Sequence, residues 1–98
     1  MNLKYLRKEL KSLSDSLDIK FSYVYILLYA YHCEMFSNNE VVKEVPFGCE
    51  TISQGIRRLK YLGLITMIKG GGGKNKLKAL YCISGKGRLE IKRLYIKL

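Results

Sequence analysis

The sequence predicts one α+β domain of mostly helical character, in which helices surround a two-stranded β-hairpin. Three observations predict it. Leucines recur from Leu3 to Leu17 at alternating spacings of three and four, an apolar stretch runs from Phe21 to Cys33, and the pattern turns to strand after Gly63 and back to helix after Gly87. At 98 residues, nearly half of them apolar and only one a proline, the chain has the composition of a single folded core.

The first helix carries Leu3, Leu6, Leu10, Leu13 and Leu17 on one stripe, with Lys4, Arg7, Lys8, Glu9 and Lys11 on the other face. Such a narrow stripe suits packing on its own domain and a seam between subunits equally well. Asp18 or Ser22 can cap a second helix that reaches about Phe36; its apolar residues (Phe21, Val24, Ile26, Leu27, Leu28, Ala30, Met35) lie nearly all round, as in a central core helix. Ser37-Asn38-Asn39 supplies a turn and an N-cap for a short helix from Glu40 to Val45, which Pro46 ends. A further helix, from about Glu50 to Tyr61, has Ile52, Ile56 and Leu59 as its inner stripe and Gly63 as its C-terminal cap. Strands over Leu64–Ile68 and Leu77–Ser84 then flank four glycines and Lys74-Asn75-Lys76. After Gly85-Lys86-Gly87 a last helix sets Ile91, Leu94 and Leu98 against Arg88, Lys92, Arg93 and Lys97. Residues 1–98 are therefore one domain: an N-terminal helix (1–17), a core (18–84) and a C-terminal helix (85–98).

Charge is unevenly divided. Residues 1–49 hold six basic and six acidic side chains, so the net charge of +10 lies wholly in residues 50–98, where twelve Lys/Arg face Glu50 and Glu90 alone. A positive excess confined to half of a small domain is the electrostatic footprint of a polyanion-binding face. Several other classes are disfavoured. Lys4, Arg7, Lys8, Glu9 and Lys11 interrupt the N-terminus before any apolar run long enough for a secretory signal, so an intracellular site is expected. The Phe21–Cys33 stretch falls short of the ~20 residues that span a bilayer, and no membrane partner is expected. Cys33, Cys49 and Cys82 are odd in number and lack the close pairing of a zinc site, so they read as ordinary half-buried thiols. A disulfide between two copies of one of them in a dimer is the sharper alternative, since intracellular proteins of hyperthermophiles use such bonds. His32, the only histidine, has no companions at catalytic spacing and reads as a core or helix-end residue; no enzyme, metal or cofactor is expected.

Residues 41–53 meet the requirements of a helix-turn-helix. Val41, Val42 and Val45 supply the inner face of a supporting helix, Pro46 stands at the turn, Phe47 plugs the space between helices, and Ile52 starts the inner face of the next. Outward on that second helix lie Thr51, Ser53, Gln54, Arg57 and Arg58. Gln54 suits an adenine edge and Arg57 a guanine edge, while the hydroxyls can reach a base or a phosphate. Arg58 and Lys60 suit phosphates, which set register without reading sequence. Lys69, Lys74, Lys76 and Lys78 lie on or beside the glycine run, which imposes little shape of its own and can settle along a phosphate track or into a minor groove. The same Gly-Lys segment lacks the Ser/Thr and the following helix of a nucleotide-binding loop.

The run Thr51-Ile52-Ser53-Gln54-Gly55-Ile56-Arg57-Arg58-Leu59-Lys60-Tyr61-Leu62-Gly63-Leu64-Ile65 resembles the recognition-helix signature of winged helix-turn-helix regulators, and Tyr81-Cys82-Ile83-Ser84-Gly85-Lys86-Gly87 is similar to the second wing strand and helix start of MarR-type proteins. The match spans about residues 39–98. Size and Lys/Tyr/Ile-rich composition are also similar to small winged-helix dimers of archaeal viruses. Gln54 stands where the pattern often has Arg, and Gly55 where it often has Ala. The resemblance implies a transcriptional regulator that binds double-stranded DNA as a homodimer, recognition helix in the major groove and wing alongside, in the cytoplasm (that of the host, if viral). It also implies that the terminal helices form the subunit interface, through Leu3, Leu6, Leu10, Leu13 and Leu17 and through Ile91, Leu94 and Leu98. A protein-interaction module and a sequence-neutral nucleic-acid binder would use the same basic half and remain open.

Overall fold

The structure, a computed structural model, describes the backbone of residues 3–69 and 79–97 and the side chains of 7–68 and 79–96. Among these residues the order is α1 (Leu3–Leu17), α2 (Phe21–Tyr31), β1 (Phe36–Ser37), α3 (Asn38–Glu44), α4 (Cys49–Tyr61), β2 (Ile65–Lys69), β3 (Leu80–Ile83) and α5 (Gly85–Lys97). The fold is α+β, with a small antiparallel sheet in the spatial order β1-β3-β2.

The leucine stripe makes α1 a helix, and Asp18 ends it. With φ at 54°, Asp18 takes the left-handed conformation; its N–H donates to Asp15 O and that of Ile19 to Ser14 O (3.0 Å), which satisfies two carbonyls of the last turn. Asp18 is thus the closing residue of α1 and not the cap of α2. At the head of α2, Lys20 occupies the cap position without a side-chain hydrogen bond, and Ser22 lies inside the helix.

The second helix also stops earlier than its apolar pattern implies. His32 is its C-cap, Phe36 leaves to pair with Tyr81 as β1, and Met35 is 47% exposed. Two paired residues are too few to register as periodic strand, which is why β1 escapes the sequence. Within the expected Ser37-Asn38-Asn39 turn it is Ser37 that caps α3, its Oγ accepting the N–H of Glu40 at 3.3 Å in an S-x-x-E arrangement, so the helix starts at Asn38, ahead of the expected Glu40.

Two glycines explain how α4 and the sheet are held. Gly63, at φ 77°, closes α4 with the same pair of bonds seen at Asp18: Leu64 N–H to Leu59 O at 2.9 Å and Gly63 N–H to Lys60 O at 3.0 Å. Gly55 faces α2, where an added Cβ would strike Ile26 Cδ1 and fall 2.8 Å from Tyr23 Cδ1. The residue that weakens α4 as an isolated helix is therefore what lets it approach α2 closely.

β2 and β3 pair from Ile65↔Ile83 to Lys69↔Leu80, with an irregularity between Met67 and Lys69. Helix α5 begins at once after β3: Ser84 Oγ accepts the Gly87 N–H at 3.1 Å and donates to Gly63 O, so one side chain caps α5 and ties it to the end of α4. Gly85-Lys86-Gly87 accordingly forms the first turn of α5 instead of a break before it.

One core joins all of this. Val24, Ile26 and Leu27 of α2 are fully buried, together with Phe36, Val41, Ile52, Leu59, Leu64, Ile65 and Ile91. Leu10, Leu13, Ile91 and Leu94 belong to the same cluster, with Leu17 packed beside it. This corrects the expectation that these side chains face a second subunit. Helices α1 and α5 pack on each other and on α2, so their stripes are covered inside the chain. Of the remaining positions expected at the seam, Leu3 and Leu6 lie on α1 but their side chains, like the whole of Leu98, fall outside the described residues.

Candidate nucleic-acid interface

Helix α4 is amphipathic because its apolar residues recur at three and four: Ile52, Gly55, Ile56 and Leu59 are buried against the core. The opposite side is therefore fixed in space, with its centre open to solvent. Along the centre of that side run Glu50, Gln54, Arg57 and Tyr61, all exposed and spaced by four, three and four.

The structure divides the expected contact residues. Gln54 and Arg57 stand on the central ridge, exposed. Lys60 is exposed on one flank, beside Ser53. Ser53 itself is half-buried and accepts a hydrogen bond from Asn38 Nδ2 at 3.1 Å, which fastens α4 to the first turn of α3. That bond satisfies one end of the Asn38 amide, while its buried Oδ1 has no partner among the described residues. The Ser53 hydroxyl thus fixes the helix crossing. Thr51 and Arg58 lie on the other flank, half-buried. Arg58 is drawn two ways: its Nη2 is 4.0 Å from Asp18 Oδ2, and its guanidinium carbon is 5.7 Å from the centroid of the Tyr61 ring.

Two ridge residues were not singled out from the sequence. Tyr61 is 78% exposed and, with Gln54, Arg57 and Arg58, frames a shallow depression of about 380 Å³. The signal was available: an aromatic residue out of phase with the apolar stripe of its helix. Glu50 is the ridge's only acid, in the first turn of α4, where a carboxylate complements the helix dipole and can also accept from a cytosine amino group.

Support for the ridge comes from α3. Val41 and Val45 are buried as expected of a supporting helix, and the Phe47 ring packs 5.5 Å from Tyr25 in the α3–α4 turn. On the other side β2 carries the chain away through Lys69, whose backbone pairs with Leu80. The Lys69 side chain and the whole of Lys74, Lys76 and Lys78 fall outside the described residues.

Away from the ridge, His32 caps α2 and its Nε2 lies 2.5 Å from the Tyr95 hydroxyl, in a cluster with Tyr31 over which the Arg88 guanidinium sits. Burial, and then the neighbouring Tyr31, pushes the Tyr95 phenol up. The three cysteines are free thiols, Cys49 exposed and Cys33 and Cys82 half-buried. Among the described residues no helix is long and apolar enough to cross a membrane.

No protein-family model matches the chain, and no curated protein matches it either.

Proposed function

We propose that this chain is a winged helix-turn-helix protein that binds double-stranded DNA sequence-specifically, as a homodimer, and regulates transcription inside the cell. One observation carries the reading. The polar, cation-bearing ridge of α4 is held outward by a buried opposite face, with a supporting helix before it and an antiparallel β2–β3 pair after it. The order α2, β1, α3, α4, β2, β3 and the central place of β3 in the sheet are compatible with this fold. So is the resemblance of residues 51–65 and 81–87 to winged-helix regulators.

In this reading α4 enters the major groove. Gln54 and Arg57 read base edges, and Glu50 and Tyr61 extend the readable ridge at its two ends. Arg58 and Lys60 meet phosphates on either side, joined by Lys69, Lys74, Lys76 and Lys78 of the wing. Thr51 is within the flank that passes a phosphate, and Ser53 positions the helix. As the resemblance implies, the homodimer contact is made by the terminal helices, with Leu3, Leu6 and Leu98 among its residues.

Selection of bound duplexes from a random pool tests this. The expected result is a partly palindromic consensus with half-sites about 34–36 Å apart. Binding without any consensus would assign the basic half to sequence-neutral contact, and absence of binding in dilute salt would end the reading.

A further inference from the structure

Helix α5 presents a second basic face, distinct from that of α4. It packs on α1, α2 and β3, whereas α4 packs on α2, α3 and β2. Gly87, Ile91 and Leu94 supply its inner side. Its outer side is unlike an ordinary solvated face, because Leu89 and Ile96, 49% and 83% exposed, stand on its midline one heptad apart. Cations surround them. With Leu89 and Ile96 as heptad a positions, Lys92 falls at d, Lys86 and Arg93 at e, and Arg88 at g, all exposed. The helix has one acid, Glu90, which is 17% exposed and pairs with Arg93 at 3.3 Å, away from the midline.

We propose that this outer face is a docking seam for an acidic amphipathic helix of a partner protein. Charge decides among the candidates. A second copy of α5, laid parallel or antiparallel, would set the cations at d, e and g against their own kind, and like charges across a helix seam oppose pairing. A DNA duplex would satisfy the cations but leave Leu89 and Ile96 with nothing to bury against. A helix with apolar residues opposite Leu89 and Ile96, and carboxylates opposite Lys86, Arg88, Lys92 and Arg93, satisfies both sets at once.

The test uses the whole chain and fluorescent three-heptad peptides with Leu at a and either Glu or Lys at d, e and g. The Glu peptide should bind and the Lys peptide should not. Ile96→Ser, at a site too exposed to disturb folding, should weaken the Glu peptide about ten-fold or more, and Arg88→Glu with Arg93→Glu should transfer preference to the Lys peptide. Since the chain has no tryptophan, Ile96→Trp adds a direct reporter whose emission should shift to the blue with the Glu peptide. Equal binding of both peptides, no effect of Ile96→Ser, or a blue shift only on anionic vesicles would overturn the proposal, the last assigning the face to lipid. Gln54→Ala with Arg57→Ala should leave peptide binding unchanged, so this seam and the DNA-binding reading fail separately.

Discussion

Replacing Arg57 with alanine separates base reading from mere attraction to a polyanion. Arg57 is exposed at the centre of the α4 ridge and takes part in none of the ion pairs among the described residues. Its loss should therefore leave stability within about 0.5 kcal/mol of the parent, the range for surface positions without a special role. On a selected duplex the variant loses a bidentate guanine contact, about 1–3 kcal/mol, or roughly 5- to 150-fold in affinity. On random duplex it loses one cation and nothing more, so the log–log salt slope should flatten by no more than ~0.9. The assay is fluorescence anisotropy on both duplexes at several salt concentrations, with a thermal melt of each protein as control. Equal losses on the two duplexes would show that Arg57 does not read a base.

Other expectations bear on fold, titration and assembly. Gly55→Ala should lower stability by about 1–3 kcal/mol in a denaturant titration, because the new methyl meets Tyr23 and Ile26, although alanine gains ~1 kcal/mol as a helix former; a stabilised variant would mean that α2 and α4 can part freely. The Tyr29 phenol is pushed up to about 12, first by burial, then by its hydrogen bond to Cys33 and the carboxylates of Glu40 and Glu44. A phenol whose proton is held more tightly when folded contributes stability that is full below its ordinary value of 10 and is lost as pH climbs toward 12. Tyr29→Phe should remove that part of the alkaline destabilisation and one late step from the tyrosinate absorbance titration. Leu3→Ser with Leu6→Ser should yield a folded monomer by light scattering; a dimer that persists would place the subunit contact elsewhere.

Local chemistry was legible wherever one residue decides it. Gly63 as a cap, an N-cap for α3 within Ser37-Asn38-Asn39 and the inner stripes of α1 and α4 follow from conformational preference or helical period, and the structure has them. Partnership was not legible. The spacing of Leu10, Leu13, Ile91 and Leu94 says only that they face something apolar, and the same stripe serves a subunit or the chain's own α2. Likewise Ser53 has the chemistry of a DNA contact, but its bond to Asn38 depends on how α3 crosses α4. The end of α2 was misplaced because apolar residues continue to Phe36 after the helix has stopped, Met35 toward solvent and Phe36 into the core.

The division of charge in residues 50–98 gives the last test. Segment 49–61 carries three cations and Glu50, a net +2; Lys69, Lys74, Lys76 and Lys78 add +4; and segment 85–97 carries five cations and Glu90, another +4. If all three segments met DNA, every exposed cation would release counterions and the salt slope would reflect them together. A face with Leu89 and Ile96 at its centre is built for a different surface, so the slope should arise from α4 and the wing alone. Excluding Arg57 as a base reader, six cations per chain remain, which caps the slope near −5 per protomer at about −0.9 each. Lys92→Gln with Arg88→Gln should then leave that slope unchanged, although the protein has lost two positive charges, while Lys60→Gln with Lys76→Gln should flatten it by about 2. A slope that falls equally in both pairs would mean that the duplex reaches α5, and that net charge rather than the placement of apolar residues governs what each basic helix binds.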